Sequence, residues 1–170
     1  MSDERGRFNR CRACNGDGEV SSPNENLPPV GCEECRSTGM VLDSHAKRQL
    51  ADVRRRWATS TLEMLDKHRI LLRVPDVDLP NKYWEQSSTT ILVEIPIGFP
   101  CASPQHFYCE KKITLKSGGW PAHSMSPKFR DFFGVKAEQW HMLVLRDWNP
   151  NKCTLMTYVN TCRQRFQIAR

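Results

Sequence analysis

The chain has 170 residues, 39% of them hydrophobic and 26% charged, which is enough apolar material for one full domain and a small appendage. No apolar run approaches the length of a membrane span, and the opening Met1-Ser2-Asp3-Glu4-Arg5-Gly6-Arg7 lacks a signal-peptide core. A cytoplasmic location with no membrane association is therefore expected. The formal net charge of +6 admits an acidic partner, but no groove-reading motif accompanies it, so nucleic acid is not an expected ligand.

The first stretch with chemistry in it is Cys11-Arg12-Ala13-Cys14, followed after seventeen residues by Cys32-Glu33-Glu34-Cys35. Each pair reads C-x-x-C-x-x-x-G. Two cysteines two residues apart can reach one ion from a tight turn, and two such turns complete a tetrahedral thiolate shell. Cys11, Cys14, Cys32 and Cys35 are thus the candidate ligands of a structural Zn2+ with no open position for catalysis. Glycines at 16, 18, 31 and 39 suit turns that wrap a metal. The intervening Ser21 to Pro29 is loop material, so residues 1–42 have too little apolar content to fold by burial alone. Metal binding would supply the missing free energy. The first motif, C-x-x-C-x-G-x-G, resembles half of the cysteine-rich zinc domain of DnaJ-type chaperones, and that resemblance implies a metal geometry and nothing about chaperoning.

Asp43-Ser44 offers a helix N-cap, and the next glycine or proline is Pro75. Leu50, Val53, Trp57 and Met64 recur at helical spacing, which predicts an amphipathic helix with Arg54-Arg55-Arg56 turned mostly outward. Val74 to Pro80 reads as extended or turn. Thr89-Thr90-Ile91-Leu92-Val93-Glu94-Ile95 is β-branched and apolar, a strand stopped by Pro96. Gln105 to Cys109 and Ile113 to Leu115 are two further short strands. An irregular middle precedes a second amphipathic helix from Thr154 to Ile168, carried by Leu155, Tyr158, Val159, Cys162 and Phe166. Helix, strands, irregular middle and helix together predict an α+β domain.

Three segments carry a second resemblance. Ile95-Pro96-Ile97-Gly98-Phe99-Pro100 followed by Cys101-Ala102-Ser103-Pro104 resembles the Tyr-Pro-x-x-Pro-Pro signature of ubiquitin-conjugating enzymes. Trp148-Asn149-Pro150 resembles that fold's Trp-Ser-Pro before a helix, and Asp76-Val77-Asp78-Leu79-Pro80 also occurs in its bacterial members. The resemblance covers residues 43–170 and implies a UBC-like antiparallel sheet flanked by helices. It further implies acyl transfer of a ubiquitin-like protein delivered by an activating enzyme, with the basic first helix as the latter's docking surface, in antiphage conjugation operons.

The sequence departs from that pattern at the nucleophile. The family's cysteine belongs in Glu138 to Leu145, which contains none, and Trp120-Pro121-Ala122 carries alanine where the oxyanion asparagine belongs. Three readings stay open. The nucleophile has moved, to Ser124 or Ser126 beside His123, or to another cysteine. The domain is a non-catalytic adaptor for the ubiquitin-like protein or the activating enzyme. Or His141, near Arg146 and Asp147, marks a different site. Cys101 and Cys109 lie in or beside strands and Cys153 and Cys162 on or next to the last helix, where a free cysteine commonly serves as a small buried hydrophobe.

Overall fold

The computed structural model describes the chain except residues 1–7, 16, 18, 23–28, 34–39, 43, 67–68, 97, 111–112, 120, 122–123, 133, 142–147 and 169–170. Two short antiparallel ribbons come first. Strand β1 (Phe8–Arg10) pairs with β4 (Met40–Leu42), and β2 (Glu19–Val20) pairs with β3 (Val30–Gly31). Helix α1 (Ser44–Arg54) follows, then β5 (Thr61–Asp66), β6 (Arg69–Asp78), β7 (Ser88–Pro96), β8 (His106–Cys109), β9 (Ser124–Phe132), β10 (Val135–His141) and helix α2 (Leu155–Phe166). The last six strands form one sheet in the order β5-β6-β7-β8-β10-β9, antiparallel throughout. The α+β expectation holds.

Alternation along the strands divides the sheet into two faces. Ile70, Leu72 and Val74 of β6, Ile91, Val93 and Ile95 of β7, and Phe107 and Cys109 of β8 belong to the core that both helices close. Into it α1 sends Leu50 and Val53, and α2 sends Leu155, Tyr158, Val159, Cys162 and Phe166. Trp84 meets Phe166 edge-on at 5.9 Å, and its indole N–H donates to the Phe166 carbonyl at 2.9 Å, so the connection after β6 is fastened to the end of α2. The opposite face gathers a smaller cluster of Leu71, Leu92, Tyr108, Phe132 and Ala137. Charged pairs surround it: Arg73 with Glu110 at 2.9 Å, and Glu94 with Arg130 at 2.7 Å and Arg69 at 3.4 Å.

The first helix is shorter than its hydrophobic spacing predicts. It stops at Arg54, and Trp57 and Ser60 lie in the turns that follow. Arg54 Nε donates to the Ser60 carbonyl at 2.7 Å and the Ser60 hydroxyl to the Trp57 carbonyl at 2.7 Å, which folds the chain back. Met64 reaches the same core from β5. The stripe was real, but its last member comes from a strand. Arg54, Arg55 and Arg56 are exposed, as expected.

Val74 to Pro80, read as extended or turn, is extended as far as Asp78, because a bulge between Val74 and Val77 accommodates Pro75 within β6, with Asp76 at φ 54°. Two other expectations change. Ile113 to Leu115 is no regular strand: Leu115 makes a single bridge to Trp84, and Thr114 N–H donates to Gln86 Oε1 at 2.8 Å. The irregular middle contains the β9–β10 hairpin, whose turn uses Gly134 at φ 85° and an Asp131 carboxylate accepting from Gly134 N–H at 2.8 Å.

Candidate functional site

The cysteine cluster is built by the two ribbons. Cys11 directly follows β1 and Cys32 directly follows β3, so pairing β1 with β4 and β2 with β3 draws the two turns together. Cys14 sits in the first turn, where its carbonyl accepts from Asp17 N–H at 2.9 Å. Among the described residues of that turn Asn15 is left-handed, at φ 49°, and Gly31 lies in β3. Cys11, Cys14 and Cys32 are all buried, with their sulfurs within 4.8 Å of one another and Cys11 and Cys32 at 3.6 Å. Among the described residues Val20 is the partly buried hydrophobic packed against them. Burial pushes the Cys11 thiol up to about 12, with the neighbouring Cys32 and Cys14 side chains adding to it. Three soft donors converging on one point fit a metal, and these three buried cysteines can hold one. Cys35, the expected fourth ligand, lies outside the described residues, as do Gly16, Gly18 and Gly39.

The second constellation lies where β7 ends. Phe99 N–H donates to the Pro96 carbonyl at 2.9 Å and Ala102 N–H to the Gly98 carbonyl at 2.8 Å, which coils the segment after the strand; the Phe99–Pro100 bond is cis. Trp148 packs on this coil, its ring 5.6 Å from Phe99, and its indole N–H donates to the Pro100 carbonyl at 2.5 Å. On its other side Trp148 meets Tyr158 of α2 at 6.4 Å. Next to it Asn149 organises a turn: its carbonyl accepts from Lys152 and Cys153 N–H at 3.0 and 2.8 Å, and its side chain accepts from Asn151 N–H at 2.9 Å. Thr154 then caps α2 reciprocally with Thr157. Two of the three sequence segments that carried the resemblance, 48 residues apart at this contact, therefore meet in one place.

Thiols border this junction. Cys101 follows Pro100 and is exposed; Cys153 is half-buried and its sulfur accepts from Asn149 N–H at 3.4 Å. Cys109 and Cys162 are fully buried core residues, and burial pushes the Cys162 thiol well up, with Cys109 adding to it.

The polar candidates divide. Ser124 opens β9 opposite Trp140, and Ser126 lies in the same strand, so both belong to a sheet edge where a loop was expected. His123 lies outside the described residues, as do Arg146 and Asp147. His141 closes β10 opposite His106. The stretch expected to hold the nucleophile is β10 as far as His141, and 142–145 fall outside the described residues. His106 is the residue that sequence reasoning missed. It is half-buried at the start of β8 and lines a groove of about 290 Å³ with Arg69, Glu94, Ser103, Pro104 and Gln105. Its only sequence signal is a histidine opening a strand.

Residues 47–169 match the family described as Prokaryotic E2 family E. The chain belongs to prokaryotic E2 family E. No curated protein and no solved structure matches it. An E2 is a ubiquitin-conjugating component, so the chain is a bacterial E2-like protein, and family membership implies dealings with a ubiquitin-like protein and an activating enzyme in general terms. The match spans both helices almost entirely, the whole six-stranded sheet and the Trp148–Pro100 junction, and it leaves the cysteine cluster outside. No helix among the described residues is long and apolar enough to cross a membrane.

Proposed function

We propose that this E2-like protein accepts the C-terminal acyl group of a ubiquitin-like protein from an activating enzyme and passes it to an acceptor, as a cytoplasmic component of an antiphage conjugation pathway. The observation that carries the reading is the seating of Trp148 on Phe99–Pro100 in a chain of E2 family E. This junction is a shelf at one end of the sheet, flanked in sequence by exposed Cys101 and half-buried Cys153. A cysteine thiolate attacks the acyl carbon of the delivered thioester, the activating enzyme's thiolate leaves, and a new thioester results. Ser124 or Ser126 in the same role would give an oxyester. Residues 1–42 form a separate module in which Cys11, Cys14, Cys32 and Cys35 bind a structural Zn2+, and residues 43–170 form the conjugating domain. In the module, thiolates hold and orient the ion, and no open position is left for chemistry.

The absence of any cysteine from Glu138 to Leu145 favours a second reading, a non-catalytic adaptor that binds the same two partners. Incubation of the full chain with the ubiquitin-like protein, activating enzyme and ATP, read by intact mass, separates the two. An adduct removed by thiol reductant and lost in Cys101→Ala or Cys153→Ala supports a displaced cysteine. An adduct that resists reductant, yields to hydroxylamine and is lost in Ser124→Ala or Ser126→Ala supports the hydroxyl. Binding of either partner without an adduct overturns transfer and leaves the adaptor.

A further inference from the structure

The two sides of the sheet treat charge differently. On the face away from the helices, Arg69 and Arg130 are paired with Glu94, and Arg73 with Glu110. On the helical side the cations gather on α1 and the turn behind it. Ala46, Gln49, Leu50 and Val53 are the buried side of this helix, and Lys47, Arg48, Arg54 and Arg55 stand exposed on the other. Arg55 N–H still donates to the Ala51 carbonyl at 3.2 Å, so the stripe runs one residue past the helix, and exposed Arg56 follows. Lys47-Arg48 and Arg54-Arg55 are two turns apart, about 10 Å along one line. The one carboxylate among them is Asp52, 3.3 Å from Arg55. Lys47, Arg48 and Arg56 have no carboxylate partner among the described residues. Helix α2 supplies none, since it has no acidic residue; it adds Arg163 and Arg165, whose Nε and Nη2 are buried without an acceptor among the described residues.

We propose that this stripe of α1 binds the phosphate backbone of a nucleic-acid duplex without reading its sequence. The lack of a groove-reading motif removes base readout, and backbone contacts need charge alone. A docked protein, such as the activating enzyme that the resemblance assigns to this helix, needs an apolar anchor at the centre of the contact. Here the residue between the cation pairs is Ala51, and the exposed large hydrophobics among the described residues, Val30 and Ile168, lie outside α1. An unpaired strand needs aromatic platforms for its bases. Trp57 is buried, with the Arg56 guanidinium 5.0 Å from its ring centre. A lipid surface gains most from apolar side chains that enter it, and those of α1, Leu50 and Val53, are spent on the core. What the stripe offers is arginine-rich charge, and a guanidinium pairs with two phosphate oxygens at once. Backbone binding uses none of the thiols or hydroxyls above, so it holds in an adaptor as in a transferase.

Five cations against one carboxylate leave about four charges to neutralise phosphates, which gives a slope of log affinity against log salt of about −3.6 and a loss of about 100-fold between about 50 and about 200 mM salt. The test is fluorescence anisotropy of the full chain with labelled DNA and RNA duplexes of unrelated sequence. Wild type should bind them with that slope and without regard to sequence. Lys47→Gln with Arg48→Gln should weaken binding to every duplex alike and make the slope shallower by about 2. Its circular dichroism spectrum should be unchanged, because both side chains are exposed. Lys82→Gln with Lys116→Gln removes the same charge from exposed positions outside both helices and should leave the slope as it is. Equal losses in the two double variants would reduce the effect to net charge and overturn the site. Binding that follows base sequence would overturn backbone recognition. No duplex binding at about 50 mM salt overturns the proposal, whether phosphatidylserine vesicles or an activating enzyme bind instead or nothing does.

Discussion

Replacing Gln49 with leucine tests how α1 is held to α2. Gln49 is buried, its side-chain carbonyl accepts from Leu155 N–H at 2.8 Å, and its amide nitrogen bonds the His45 ring. Leu155 is the first residue of α2, whose opening N–H groups have no partner within the helix. Leucine fills a similar volume and accepts nothing, so the Leu155 N–H is left buried and unpaired, a cost of about 1–3 kcal/mol. At the middle of that range the melting midpoint should fall by about 4–8 °C for a chain of this size. Glutamate in the same place keeps an acceptor and puts a negative charge at the helix N-terminus, so Gln49→Glu should recover most of the loss. Urea unfolding followed by circular dichroism compares the three proteins at equal slope. If Gln49→Leu were as stable as wild type, the hydrogen bond across 106 residues would not be what docks α2, and the reasoning would fail.

Four further outcomes are expected. The Tyr158 hydroxyl is buried with no hydrogen-bond partner among the described residues, so Tyr158→Phe should leave stability unchanged or raise it by about 1 kcal/mol, as thermal unfolding would report. Burial raises the Cys162 pKa from its ordinary 9.0, so above that value the unfolded chain carries fewer protons than the folded one. The Cys162 contribution is thus fully present below about pH 9 and is lost as pH rises; a stability–pH curve for Cys162→Ala should be flatter there. A thiol reagent should modify exposed Cys101 before half-buried Cys153, and Cys109 and Cys162 only on unfolding, which peptide mapping resolves. For the cysteine cluster, native mass spectrometry should find a single zinc ion per chain, lost in Cys11→Ser or Cys32→Ser.

Much of the fold was legible because local periodicity reports burial on one element at a time. β7 and α2 lie within a residue or two of their expected limits, since each is an uninterrupted β-branched run or a regular stripe bounded by turn residues. The error at Met64 has a physical source. A helix that ends and a strand that returns can face the same core, and spacing along the sequence cannot tell one from the other. Pro75 stands inside β6 only because a bulge takes it out of the ladder, and the bulge depends on pairing with β7. The β9–β10 hairpin was hidden because Ser124 to Phe132 mixes proline, charge and aromatics without alternation. An edge strand has only one partner to satisfy, and its sequence is correspondingly less constrained.

The candidate site was legible in its covalent parts and not in its spatial ones. Cys11, Cys14 and Cys32 announce themselves by spacing because a metal shell is built from short turns, and the ribbons that join them need only close a loop. Phe99–Pro100 and Trp148 were each recognisable, and the hydrogen bond between them turns two resemblances into one place. His106 was not recognisable. Its place in one groove with Arg69 and Glu94 is fixed by the register of β6, β7 and β8, which spacing along the chain does not report.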